Sequence, residues 1–453
     1  MQEPIPPHSP TSGWRRAWRG LWETFAAKPT WEQAPCHGAG LGVNGTAEVR
    51  PPPAVSTQRG RAWLGMLLAL GTMTACATRG AGSAQPTIPA APRLSASQVA
   101  KLMPPRLQDR EGWARDVLAA LEVEALAPSP PAVCSVLAVI EQESGYKVDP
   151  AVPGLPKMVR ARLEEHASKL GPLGRKVLAS VLEGRAKGSK KTFDERLRAL
   201  RTERDLDRLF RDMLAYYENE YPSAFKVVDF ASGVFASGNL NAFNPVTTAG
   251  SMQVSVRYAM QKAGEDADLA EVRESMYTRA GGVRYGTARL LGYEAAYPEP
   301  LFRFADYNAG VYASRNAALQ SQVSRLTGHP LAPDGDLLLY DKQGQPRGED
   351  SKSLLALLAF RLRFAPEELS ERQVRRDVRE EKEPDFESTD TFRAVKRVYQ
   401  RETGEAPSYA QLPRVTLHSP KLKRELTTEW FARSVDRRFQ QCMTRYRALT
   451  AKE

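Results

Sequence analysis

The chain has 453 residues, 42% of them hydrophobic and 26% charged, and a formal charge of +11. That is enough length for two or three domains with a real core, in an ordinary globular composition; the basic balance suits an acidic polymer without choosing among nucleic acid, anionic lipid and cell wall. Cys36, Cys76, Cys134 and Cys442 form no CxxC pair and the histidines form no HExxH motif, so a zinc ribbon, a thioredoxin-type site and a zinc hydrolase are unsupported.

Residues 1–54 are rich in Pro, Gly, Trp and Arg and show no sustained periodicity. Arg59 and Arg61 then precede an apolar run, Ala62 to Ala75, that ends in small residues before Cys76. The run is too short to span a bilayer as a stop-transfer helix and has the three-part layout of a secretory signal. Met73-Thr74-Ala75-Cys76 resembles a bacterial lipobox, which implies cleavage before Cys76 and lipidation of that residue. Since 58 residues precede Arg59, Val55 is a candidate initiator. Residues 1–54 are expected to be untranslated or removed, 55–76 to be the signal, and 77–107 a flexible tether. By resemblance to lipoprotein sorting, Ala77 after the anchor, where no Asp stands, implies the periplasmic face of the outer membrane.

Helical patterns follow. Trp113, Val117, Leu118, Leu121 and Ala125 recur at helical spacing within Asp109 to Leu126. Pro128, Pro130 and Pro131 break the chain, and Ala132 to Glu143 is the most apolar helix, expected at the centre and ended by Gly145. Residues 157–235 read as a charged helical insert, in which Leu206, Leu209, Phe210, Met213, Leu214 and Tyr217 form one amphipathic face. Gly184 to Lys191 reads as a solvated basic turn. Tyr216, Tyr217, Tyr221, Phe225, Phe230, Phe235 and Phe243 could stack on sugars but read better as core. A second core stretch runs from Asn241 to Gly310, Gly335 to Arg347 suggests a small hairpin, and the remainder alternates charged and apolar residues as helices. The expected fold is mainly α, with a core domain over 108–328, the insert within it, and a mostly helical extension over 329–453.

Glu143 is the candidate for chemistry, and a helix end that emerges into water with Glu143 solvated is the other reading of the same residues. Glu143 shares a helix face with Ile140, Val139 and Val136 and lies at the negative end of the helix dipole. Both surroundings raise a carboxyl pKa, and a glutamic acid protonated near neutral pH can donate to a glycosidic oxygen. Glu141, beside Leu137 and Ala138, is a backup candidate.

Glu143-Ser144-Gly145, then Asn244-Pro245 with Gly250-Ser251-Met252-Gln253, then Tyr307-Asn308-Ala309-Gly310 resemble, in that order, the motifs of lytic transglycosylases of the goose-lysozyme-like kind. Gly281 to Leu291 resembles that family's helix before its tyrosine motif. The resemblance covers roughly residues 110–156 and 236–320. It implies a lysozyme-like helical domain acting on peptidoglycan, with Glu143 as acid/base, Tyr307 beside it, and Ser144, Met252, Gln253 and Asn308 as substrate-binding residues. It implies no cofactor, metal ion or nucleic acid. Departures are Ser251 for the usual leucine, Asp306 for a small residue, and 107 positions between Glu143 and Gly250, where the family has a short loop. The chain also resembles bacterial lipoproteins known only as a domain of unknown function.

A water-using glycosidase normally needs a second carboxylate. Asp149, Asp229 and Asp306 are possible partners, none at a motif position. The resemblance implies instead a single-glutamate route to 1,6-anhydro ends; a water-using muramidase and a non-catalytic glycan-binding lipoprotein are the alternatives. Cys134 and Cys442, left after export, either pair or remain buried thiols.

Overall fold

In a computed structural model the structure describes residues 92–169, 172–220, 244–341, 344–417 and 426–451. The expected signal, Cys76, Asp229 and the aromatics Tyr221 to Phe243 lie outside these residues.

The first core is built around one apolar helix, α3 (Pro130–Glu143). Ser129 accepts from the Ala132 amide, and the two prolines occupy the first turn, where a missing N–H leaves no bond unmade. Pro130 and Pro131 therefore start the helix rather than break the chain. Residues Val133 to Ile140 are all buried, which requires neighbours on every side. They come from α1 (Ala96–Leu102), α2 (Arg110–Val123), α10 (Arg279–Leu291), α11 (Pro300–Ala309) and α16 (Thr428–Thr450), joined by the smaller α8 (Val256–Ala263) and α9 (Leu269–Met276).

Two boundaries differ from the sequence expectation. The tether expected over 77–107 has become folded chain by Leu94: Val99, Leu102 and Met103 are buried in the first core, and Ser95 caps α1 with a full capping box. The extension expected over 329–453 is not separate either. Phe431, Val435, Phe439 and Cys442 of α16 lie in the same core, and Phe439 meets Phe304 of α11 edge to face, centroids 6.0 Å apart. Fully burying each such aromatic contributes about 1.5–3 kcal/mol, which draws the end of the chain back to α3. Cys134 of α3 and Cys442 of α16 form a disulfide with Cα atoms 5.6 Å apart.

The insert has its own apolar centre. Helices α4 (Leu155–Lys169), α5 (Pro172–Glu183), α6 (Phe193–Arg198) and α7 (Glu203–Glu220) bury Leu163, Leu182, Phe193, Phe210 and Met213. Tyr216 packs edge to face on Phe193, as core. The turn 184–191 is mostly exposed, and Thr192 caps α6 directly after it.

A third core joins α12 (Ala313–Thr327) to α13 (Lys352–Phe364), α14 (Glu371–Asp377) and α15 (Asp390–Thr403) through Leu319, Val323, Phe360, Phe386 and Phe392. The expected hairpin over 335–347 is reduced to one bridge, Tyr340 to Pro346, with Arg347 N–H donating to the Leu339 carbonyl. Strands are short: β1 (Thr248–Ala249) pairs antiparallel with β2 (Val254–Ser255), and β3 (Thr416–Leu417) with β4 (Leu426–Thr427). The fold is mainly α.

Candidate functional site

Glu143 is the last residue of α3 and Ser144 its C-cap. Gly145 and Tyr146 then both take left-handed backbone (φ 58° and 62°), turning the chain off the helix end. Tyr146 offsets its strained backbone by burial: its ring meets Trp113 edge to face and its hydroxyl donates to the Leu137 carbonyl at 3.2 Å. Glu143 itself is half-buried. Desolvation, and after it the negative charge of Glu203, push its carboxyl up to about 8.

The second element is the tight loop Gly250–Gln253 between β1 and β2. Gly250 has φ 81°, and a Cβ there would fall 2.3 Å from the Met276 carbonyl oxygen, so only glycine fits. Gln253 takes φ 51° with its amide on the Gly250 carbonyl at 3.0 Å. Its side chain accepts from Thr248 Oγ1 at 3.1 Å and donates to Glu203 Oε2 at 3.1 Å.

The third element is α11. Tyr307 donates its hydroxyl to the Met252 carbonyl at 2.7 Å. It stands within electrostatic reach of Glu143, and burial, then that charge, hold its pKa well above the ordinary phenol value. Tyr307 is therefore a neutral phenol whose one proton goes to the loop.

The structure brings Glu143, Tyr307, Gln253 and the Met252 backbone to one place. Three other expectations change. The Met252 side chain is fully buried and so shapes the loop rather than contacting a ligand. Ser144 donates its hydroxyl back to the Ile140 carbonyl at 3.1 Å, a helix-end bond. Asn308 accepts from Thr428 Oγ1 at 2.8 Å, tying α11 to the start of α16.

Among the second carboxylates, Asp306 is fully buried and accepts from Tyr293, Tyr297 and the Ser314 amide. It is a structural clamp between α11 and α12. Burial raises the Asp149 pKa, opposed by Thr202 and the Arg204 amide, so Asp149 braces the start of α7. The carboxylate nearest in effect to Glu143 is Glu203, which motif reasoning did not reach. Thr202-Glu203-Arg204 looks like any helix start, and no local signal marks it. Asn244 of the Asn-Pro pair also has a buried role: its Nδ2 donates to Asp207 Oδ1 at 2.6 Å and its Oδ1 accepts from the Val246 amide at 2.9 Å.

Among the described residues no group of three or more His, Cys, Asp or Glu side chains is placed to hold a metal ion. No helix among them is long and apolar enough to cross a membrane.

The family described as "Protein of unknown function (DUF1615)" matches residues 106–445. The "Uncharacterized protein YaiW" of Escherichia coli (strain K12) is 37% identical over 350 residues, covering 77% of this chain and 89% of that protein. No solved structure matches.

Proposed function

We propose that this chain, which belongs to the DUF1615 family of proteins of unknown function, is a lytic transglycosylase with a lysozyme-like core that cleaves the glycan strands of peptidoglycan. The observation that carries this reading is the Glu143 carboxyl, held at about 8 by desolvation beside the neutral Tyr307 hydroxyl. A carboxylic acid that keeps its proton at neutral pH can protonate a glycosidic oxygen, and the same group, then ionised, can serve as base. Glu143 protonates the leaving oxygen, and the muramic acid cation is stabilised by its own N-acetyl group. Glu143 then takes the proton of the sugar 6-hydroxyl as that oxygen closes on the anomeric carbon, leaving a 1,6-anhydro ring. Tyr307, fixed by its bond to the Met252 carbonyl, stands beside the carboxyl, and Gln253 faces the sugar. No cofactor takes part.

The motif at Cys76 supports a lipid anchor and a place on the periplasmic face of the outer membrane. The Cys134–Cys442 disulfide supports export, because such bonds persist in oxidising compartments. Purified sacculi digested with the protein and analysed by mass spectrometry test the reading. Release of 1,6-anhydro muropeptides is expected. Ordinary reducing ends point to a water-using muramidase, and no product to a non-catalytic glycan-binding lipoprotein. A Cys76→Ala variant is expected to leave the membrane fraction.

A further inference from the structure

Among the described residues, one helix that fastens the insert to the first core is α7. On α7, Arg204, Arg208 and Arg211 share a face and converge on Glu274 of α9. Arg204 Nη2 lies 2.9 Å and Arg208 Nη2 2.8 Å from Oε2, while Arg211 Nη2 lies 2.5 Å from Oε1. These bonds, Arg208 foremost, hold the Glu274 carboxyl well below the usual range. Asp207, on the same helix, is fully buried and receives Arg273 Nη1 at 2.5 Å, Arg211 Nε at 3.0 Å and Asn244 at 2.6 Å. A charge pair this buried tolerates little displacement, since losing one partner strands the other. Glu203 is the residue directly before this clamp, and its Oε2 is the acceptor for Gln253 Nε2 at 3.1 Å. The helix and the loop beneath Tyr307 are therefore joined through Glu203.

We propose that Glu203 is a positioning residue that the insert contributes to the Glu143 site: it holds Gln253 across the loop and sets a fixed negative charge against Glu143. The insert is then part of the site and not an addition to it. The charge acts through Glu143, adding to the desolvation that favours its acid form. From α11 comes the neutral Tyr307, and Arg289 and Tyr258 of α10 and α8 act on Tyr307. From α16, Ser434 holds the neighbouring Gln142 at 2.9 Å while itself bonded to Arg438.

The catalytic consequence rests on the reading proposed above; the effect on Glu143 does not. The test is a carbon-13 NMR titration of the Glu143 carboxyl in the full chain, its signal assigned by its loss in Glu143→Gln. Glu203→Gln is expected to lower the midpoint, and Glu203→Asp to restore most of it. Glu203→Ala replaces the glutamine variant if that one does not fold. An unchanged midpoint in the charge-removing variant overturns the proposal. In sacculus digestion, the alkaline limb of the rate profile moves to lower pH in Glu203→Gln. For each pH unit the midpoint falls, about tenfold less protonated acid remains above it. Equal loss at every pH means that Glu203 only supports the fold, and overturns the proposal. A wild-type protein that digests nothing refutes the transglycosylase reading, and the titration still decides the role of Glu203.

Discussion

Gly286 of α10 lies so close to Met252 that a Cβ at position 286 would fall 2.1 Å from the Met252 sulfur and 2.6 Å from its Cβ. One turn earlier, a Cβ on Gly282 would fall 2.8 Å from Ser251 Oγ. The glycines of this helix are thus the floor on which the Gly250–Gln253 loop rests. Gly286→Ala must push Met252 outward, and with it the carbonyl that receives Tyr307. Overpacking of this kind costs about 1–3 kcal/mol. Urea unfolding should show that loss, and sacculus digestion should fall more than stability alone explains. An alanine variant with unchanged stability and activity would mean that the loop is not held from below.

The disulfide joins residues 308 positions apart and ties α16 to the helix that ends at Glu143. Cys442→Ser should lower the unfolding free energy by about 2–5 kcal/mol, with the larger effect on α16. Hydrogen exchange would show early opening of 428–450. Thiol labelling of the denatured, unreduced protein should find neither Cys134 nor Cys442 free.

Much of this arrangement was legible in the sequence, but not all of it. The apolar run 132–140 announces α3 and places Glu143 on its buried face. The order of the short motifs brings Gln253 and Tyr307 to it. The roles of Met252, Ser144 and Asn308 were not legible, because each depends on a partner distant in the chain or on a side-chain direction. Met252 is fixed by Gly286 and Asn308 by Thr428, 34 and 120 positions away. Glu203 was hidden for the same reason: its neighbours in space are Gln253 and, through the clamp, Glu274. Helix α1 was missed because seven residues carry too short a pattern beside a Gly/Pro-rich stretch. The return of α16 was suggested only by its cysteine.

Glu381 should be the most sensitive polar position of the C-terminal core. It is fully buried, and its carboxylate accepts from the Leu337 and Leu338 amides at 2.5 and 3.0 Å, from Tyr340 at 2.5 Å and from Asn316 at 3.2 Å. Glu381→Ala leaves the Leu337 and Leu338 amides and the Tyr340 hydroxyl without this acceptor, at about 1–3 kcal/mol each where they stay dry, while Asn316 keeps the Gly335 and Glu381 carbonyls. A loss of about 3 kcal/mol or more in urea unfolding is expected, with disorder of residues 335–340 by hydrogen exchange. The site around Glu143 belongs to a different core, so any surviving folded fraction should keep full specific activity.

Glu143 should weaken the fold that carries it. Its folded pKa of about 8 stands above the ordinary 4.5. Between those values the folded chain keeps a proton that the unfolded chain has released. Stability therefore falls as pH rises from about 4.5 to about 8 and levels off above, where the buried carboxylate is ionised. An amide at position 143 does not titrate and has nothing to lose across that window. Glu143→Gln should match wild type near pH 4 and gain steadily toward pH 8. The gain there is on the order of 1–3 kcal/mol, less than the full shift implies because the residue is only half-buried. Its rate on sacculi should fall about 10²–10⁴-fold, the usual loss when an acid's proton transfer is removed. Glu141→Gln, two positions earlier, should keep most activity. Urea unfolding at pH 4, 6 and 8 separates a working acid from a structural one. A variant at 143 that is destabilised equally at all three values would show that Glu143 supports the helix end, and a variant still releasing 1,6-anhydro products at the wild-type rate would remove it from the reaction.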